Sequence, residues 1–207
     1  MAQFFQIHPA NPQPRLVRGA VDILRGGGVI VYPTDSSYAF GCQLGAKDAM
    51  ERVRRIRRLD DKHNFTLVCR DLSEITTYAK IDNQAFRILK SLTPGPYTFI
   101  YEATKQVPRR MLHPKRKGIG IRVPDNAICR ALLAELDEPI LSTSLLLPGD
   151  DHPMTDPQAI RDTLDRQVDL IIDGGAGGME PSTVIDMTQE PYIVVRVGKG
   201  DPSLFEV

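Results

Sequence analysis

The chain has 207 residues, 26 Lys and Arg against 26 Asp and Glu, with 42% hydrophobic and 25% charged residues, the ordinary mix of a soluble globular protein long enough for one good core. No apolar run approaches the roughly 18 residues of a membrane span, and residues 1–14 lack the basic and apolar regions of a signal peptide. Cys42, Cys69 and Cys129 are odd in number and far apart, which argues against a disulfide framework or a zinc site and makes the reducing cytoplasm the expected location.

Strand and helix signals alternate from end to end. Leu16, Ala20, Ile23 and Leu24 recur at helical spacing after Pro14, and Gly26-Gly27-Gly28 stops that helix. Val29-Ile30-Val31-Tyr32 is a β-branched and aromatic run closed by Pro33, as a buried strand should be. A second helix is predicted over Lys47 to Arg57, with Met50, Val53 and Ile56 inward, and a strand over residues 65–69. Ala85, Ile88 and Leu89 mark a third helix, which Thr93-Pro94-Gly95-Pro96 ends before an extended run over 97–101. Residues 119–123 alternate as a strand, and Asp125 offers an N-cap to a helix carrying Ile128, Leu132 and Leu136. After a strand at Ile140 to Ser144, Asp156-Pro157 supplies the N-cap and first-turn proline of another helix. Strands over 168–172, 182–187 and 192–197 close the chain. No linker or repeat interrupts this pattern, so one domain over 1–207 is expected. Its sheet should carry helices on its faces and be partly antiparallel where short glycine-rich connections join late strands.

The zero net charge hides a segregation. Residues 51–122 hold 17 Lys and Arg and 7 Asp and Glu, a net +10, and the remainder holds 9 and 19, a net −10. A basic middle third suggests an anionic partner; the alternative is a solvated surface whose halves face each other. Arg52, Arg54, Arg55, Arg57 and Arg58, then Lys62, carry much of it. At 100° per residue the five arginines cannot share one face: Arg54, Arg57 and Arg58 fall on one side, Arg55 lies beside Arg58, and Glu51 can pair with Arg54 or Arg55. Guanidinium forks suit bidentate contacts to a triphosphate or an RNA backbone. Arg109, Arg110, Lys115, Arg116 and Lys117 fall on a predicted loop, where phosphate contact and simple mobility are equal readings and aromatics for base stacking are sparse.

Pro33-Thr34-Asp35-Ser36-Ser37-Tyr38 directly follows a buried strand, the place where open α/β sheets bind ligands. Its hydroxyls either approach a phosphate or amino acid or satisfy their own backbone. Gly174-Gly175-Ala176-Gly177-Gly178 lacks Walker and dinucleotide-binding spacing and is expected to be a flexible turn. His8, His63, His113 and His152 show no metal-ligand spacing, and no nucleophile–histidine–carboxylate set stands out.

Taken in order, these pieces resemble the YrdC/YciO family, which includes the threonylcarbamoyl-AMP synthases of tRNA modification. The likeness runs from Gly28 to about Gly198. Pro33-Thr34-Asp35-Ser36-Ser37-Tyr38-Ala39-Phe40-Gly41 is similar to the family's Pro-Thr-Glu-Thr-x-Tyr-Gly-Leu-Gly turn. Thr93-Pro94-Gly95-Pro96-Tyr97-Thr98 resembles Trp-Pro-Gly-Pro-Leu-Thr, and Ile121-Arg122-Val123-Pro124 resembles Val-Arg-x-Pro. Asp173-Gly174-Gly175, Pro181-Ser182-Thr183-Val184-Ile185-Asp186 and Arg196-Val197-Gly198 are similar to the carboxyl-terminal signature. The resemblance implies an α/β (α+β) fold: a twisted open mixed sheet with helices on its faces around a large basic concave cavity. It implies ATP, L-threonine and bicarbonate as substrates, an adenylate and pyrophosphate as products, and Mg2+ held by the ATP phosphates. Attack of a carbamate oxygen on the α-phosphorus needs positioning and cations more than a strong base. By position, Thr34, Tyr38, Arg122, Ser144 and Ser182 would bind the amino-acid substrate, and Arg55, Arg57, Arg58 and Arg196 the nucleotide phosphates.

Three positions depart from the synthases. Arg55-Ile56-Arg57 followed by Asn64-Phe65-Thr66 stands where they carry Lys-x-Arg and Asn/Lys-Pro-Leu, and arginine does not imitate a compact ammonium. Ser144-Leu145-Leu146 replaces Ser-x-Asn, exchanging an amide for an alkyl group, and Cys69 stands for a strand histidine. The segments 60–67 and 142–149 look like the YciO branch. Two functions follow: a synthase-type nucleotidyltransferase linked to tRNA modification, or a protein that binds tRNA, double-stranded RNA or the ribosome through the cavity without synthesis.

Overall fold

Among the residues that the computed structural model describes, 1–60, 63–109, 112 and 118–205, ten strands form one mixed sheet. The strands are β1 (Gln3–Gln6), β2 (Ile30–Tyr32), β3 (Ala39–Gln43), β4 (Thr66–Val68), β5 (Tyr97–Glu102), β6 (Gly118–Arg122), β7 (Ile140–Ser144), β8 (Leu170–Asp173), β9 (Thr183–Asp186) and β10 (Ile193–Arg196). Six helices join them: α1 (Pro14–Arg25), α2 (Lys47–Arg57), α3 (Leu72–Tyr78), α4 (Asn83–Leu92), α5 (Ala127–Leu136) and α6 (Pro157–Leu164). The sheet order is β1-β8-β2-β3-β7-β4-β6-β5-β9-β10. Arg110, Lys115, Arg116 and Lys117 of the predicted basic loop, and Lys62, lie outside the described residues.

Local chemistry sets the boundaries. Proline opens both α1 and α6, and the Asp156 carboxylate caps α6 by accepting from the Ala159 N–H at 2.8 Å. The cap of α5 corrects the sequence reading by one residue. Asn126 accepts from the Cys129 N–H at 3.0 Å, which leaves Asp125 to pair with Arg130 at 2.8 Å. The glycine-rich connection also departs from expectation, because β8 and β9 are not neighbours and the loop between them crosses the sheet. The late antiparallel pair is β9 with β10.

Pleating sends alternate residues into two cores. On one face Ile30, Tyr32, Ile140, Leu170 and Ile172 pack under α1 and α5. On the other, Val31, Phe40, Leu67, Phe99, Ile121 and Leu141 meet buried residues of α2, α3, α4 and α6. The first face changes character past β7. Ser142, Thr66, Gly120 and Ile100 pair in register across β7, β4, β6 and β5, and this row of mostly small side chains lines a cavity instead of a helix interface. The three cysteines are free and buried, and no described helix is long and apolar enough to cross a membrane.

Candidate functional site

The cavity has a volume of about 410 Å³. Its floor is the row Ser142, Thr66, Gly120 and Ile100, continued by Thr98, Val184 and Ser182 toward the β9 edge. Gly120 keeps that floor open. A Cβ there would stand 2.9 Å from Thr66 Oγ1 and 3.3 Å from Thr98 Cγ2, closer than side chains tolerate without moving. The hydroxyls of Thr98 and Ser182 share a hydrogen bond of 2.7 Å. Ile100, Leu146, Val184 and Val195 give the cavity an apolar part.

Three arginines from distant segments converge on this space. Arg57, the last residue of α2, donates from Nε to the Leu146 carbonyl at 2.6 Å and from Nη1 to Thr143 Oγ1 at 2.8 Å. Arg122 ends β6 with 7% of its surface exposed, pairs with Asp35 and donates to Ser36 Oγ at 2.8 Å. Arg196 ends β10, where the register slips between Val194 and Arg196, so Val195 is an extra residue. Such a bulge re-aims the side chains beside it, and both Val195 and Arg196 line the cavity. Arg196 donates from Nε and Nη2 to the Ser182 carbonyl at 3.1 and 2.7 Å while keeping much of its surface open.

The charges are unequally compensated. Asp35 neutralises Arg122, whereas among the described residues neither Arg57 nor Arg196 is paired with a carboxylate. Loss of solvent, then the neighbouring Arg196, lowers the Arg57 pKa; loss of solvent, then Arg122, lowers that of Arg196. His63 shares the wall, with Nε2 at 3.1 Å from Thr143 Oγ1. Burial, then Arg57 and Arg54, push its pKa down to about 4, so the imidazole is neutral at pH 7. Because Thr143 Oγ1 accepts from Arg57, its own proton is available to His63 Nε2. Asp151 is the carboxylate on the lining, and the described residues contain no group of three or more His, Cys, Asp or Glu placed to hold a metal.

Of the residues singled out from sequence, the cavity brings together Arg57, Arg122, Ser144, Ser182 and Arg196. Thr34 and Tyr38 lie off this lining, with their hydroxyls bonded to neighbouring backbone. The Thr34 hydroxyl donates to the Ser37 carbonyl at 2.6 Å and accepts from the Ser36 and Ser37 N–H groups, closing its own turn. Tyr38 is fully buried, donating to the Gly175 carbonyl at 2.7 Å and accepting from the Gly174 N–H at 3.2 Å. The glycine run is therefore a docked strap and not a flexible turn: a Cβ on Gly178 would lie 1.9 Å from the Ser36 carbonyl oxygen, so only glycine permits that approach. Arg55 and Arg58 also fall away from Arg57, lining a separate depression with Arg52 and Arg166. Arg54 is buried with its guanidinium 5.1 Å from the Phe65 ring and Nη1 donating to the Asp60 carbonyl. Sequence reasoning singled out the turn that carries Asp35 and Ser37 but gave no site role to His63, Thr98 and Gly120 on the lining, since each is ordinary in its local context.

Residues 22–198 match the Sua5/yciO/yrdC family model, described as "Telomere recombination". YciO of Escherichia coli strain K12 is 60% identical over 205 residues, 99% of this chain and 100% of that protein. The crystal structure of E. coli YciO superposes with a TM-score of 0.97 at 60% identity, covering 100% of both chains. The crystal structure of P. abyssi Sua5 complexed with L-threonine gives a TM-score of 0.86 at 23% identity, over 94% of this chain and 57% of that one, a likeness of fold.

Proposed function

The chain belongs to the Sua5/YciO/YrdC family, and from that premise we propose that its cavity binds ATP by the phosphates and joins it to a small amino-acid-derived carboxylate, as an L-threonylcarbamoyl-AMP synthase-type nucleotidyltransferase. The observation that carries this reading is the pair Arg57 and Arg196, without carboxylate partners among the described residues, above a hydroxyl-lined floor. Crowded like charges are unfavourable until an anion arrives, and phosphate oxygens supply that compensation with bidentate geometry. The complex of the P. abyssi relative with L-threonine supports an amino-acid subsite, for which Ser144, Ser182 and Arg122 are the donors here. Asp35 tempers the charge of Arg122, which leaves its guanidinium as a directional donor for a carboxylate.

In the reaction, threonine and bicarbonate give a carbamate with loss of water, and a carbamate oxygen bonds to the α-phosphorus as the bond to pyrophosphate breaks. Arg57 and Arg196 hold the phosphates in line and spread the charge that develops on the leaving oxygens. Magnesium, bound chiefly by those phosphates with Asp151 as the carboxylate within the lining, would supply further charge neutralisation. Leu146 favours a second reading, in which the cavity holds the phosphates of a nucleotide or of RNA without synthesis, because an alkyl group lines the wall where the synthases present an amide. Incubation of the protein with ATP, L-threonine, bicarbonate and Mg2+ separates the two. Release of pyrophosphate with an AMP-linked product supports the synthase. Calorimetric binding of ATP without either product supports the second reading, and the absence of binding to ATP and to RNA alike sinks both.

A further inference from the structure

Thr143 Oγ1 joins two side chains of the cavity wall. It accepts from Arg57 Nη1 at 2.8 Å and lies 3.1 Å from His63 Nε2. Thr143 sits in β7, between β3 and β4, and is 8% exposed, so this oxygen is a fixed point. The bridge has two arrangements that differ by one proton. A hydroxyl has one proton and two lone pairs, and Arg57 occupies one of the lone pairs. A neutral His63 takes the hydroxyl proton at Nε2 and keeps its own on Nδ1, so the threonine offers the cavity no donor. An imidazolium has donors on both nitrogens and must give the Nε2 proton to the remaining lone pair. Thr143 then has both lone pairs filled, and its own proton is released toward the space that it lines.

The charges around the ring set which arrangement holds. Arg54 and Arg57 act on it from α2 and Arg196 from β10, against Asp60 on the turn beyond α2, and Asp151 lies on the same lining. Phe65 sets its ring edge-on, with centroids 5.7 Å apart. Burial and this excess of cations keep the imidazole neutral in the ligand-free cavity. A polyanion held by Arg57 and Arg196 reverses the local field. One net negative charge about 6 Å from the ring, at an effective dielectric constant of about 20, favours the charged form about 100-fold. At pH 6 His63 is then about half protonated with ligand, against about 1% without it.

We propose that His63 is a positioning residue that couples proton uptake to phosphate binding: as phosphate oxygens engage Arg57, the ring takes a proton from solvent, reverses its bond to Thr143 and turns the Thr143 hydroxyl toward the ligand. This rests on the reading of the cavity as a phosphate site. The bound anion gains a further positive charge and a further donor. The empty cavity, which already holds Arg57 and Arg196 without carboxylate partners among the described residues, is spared another cation.

Calorimetric titration with Mg-ATP in two buffers of different ionisation enthalpy counts the protons taken up. The comparison protein is His63→Gln, whose amide still reaches for Thr143 but does not titrate, so protonation of ATP itself cancels in the difference. Wild type should take up about 0.5 proton more than the variant at pH 6 and none more at pH 8. Its affinity relative to the variant should accordingly rise about twofold between pH 8 and pH 6, and about tenfold by pH 5. Imidazole 15N spectra of the wild type at pH 6 need no variant. They should show His63 Nε2 bare in the free protein and protonated in about half of the molecules that hold ATP. Equal uptake by the two proteins at pH 6, or an Nε2 that ATP leaves bare, overturns the proposal and leaves the phosphate reading standing. Absence of ATP binding by the wild type overturns both.

Discussion

Replacing Arg196 by methionine removes one of the two cavity arginines that lack a carboxylate partner while retaining apolar volume. In the ligand-free protein two effects oppose each other. The bonds to the Ser182 carbonyl are lost, at a net cost of about 1 kcal/mol, and repulsion from Arg57 and Arg122 is relieved. The ligand-free Tm should therefore stay within about 2–4 °C of wild type. With ATP the balance is one-sided, because a charge-assisted phosphate contact of about 2 kcal/mol disappears, a roughly 30-fold loss of affinity. At 100 times the wild-type Kd, ATP adds about 2.7 kcal/mol to the wild type, or roughly 5–11 °C in Tm. The same concentration is then about three times the variant's Kd and adds about 0.8 kcal/mol, roughly 2–3 °C. A thermal-shift titration with Mg-ATP reads both numbers. A variant that retains the full ATP shift, or whose ligand-free Tm collapses, would refute the assignment of Arg196 to ligand and make it a structural residue.

Leu146→Asn restores the amide that the synthases carry at the cavity wall and should raise pyrophosphate release about tenfold, the worth of one polar contact, in a coupled phosphate assay. Gly120→Val fills the floor between Thr66 and Thr98; it should destabilise by about 1–3 kcal/mol in urea unfolding and abolish the heat of L-threonine binding in the presence of ATP. For His63 the unfolded chain takes up a proton near pH 6.5, whereas the native imidazole resists until about 4. Stability therefore falls as the pH drops through that window, by at most about 3 kcal/mol, and His63→Gln should flatten that part of the pH profile of urea unfolding.

What was legible in the sequence follows from signals confined to one element. The bounds of α2, the cap and proline of α6 and most strands came from periodicity and punctuation that act over a few residues. The elements not anticipated, β1, β3 and α3, are four, five and seven residues long. In β3 the run Ala-Phe-Gly-Cys-Gln shows little alternation, because Gly41 makes room for Tyr32 and Ile140 on its neighbours. The start of α3 did carry a signal, Asp71 accepting from the Glu74 N–H while Glu74 reaches back to the Arg70 N–H, which is close to a capping box. At the site, the convergence of Arg57, Arg122 and Arg196 was readable only through the family likeness, since β6, β10 and α2 are far apart in sequence. The positions of Thr34, Tyr38, Arg55 and Arg58 off the cavity lining were not, because a hydroxyl or guanidinium adjacent to a cavity-lining residue turns away by one bend of the backbone or 100° of helix.

Crystals of the protein grown with a non-hydrolysable ATP analogue and Mg2+ test the central claim most directly. Phosphate oxygens are expected within hydrogen-bond distance of both Arg57 and Arg196, above the floor of Thr66, Gly120 and Thr98. A nucleotide bound with its phosphates elsewhere, or with these two guanidiniums still turned only to Leu146, Thr143 and Ser182, would contradict it.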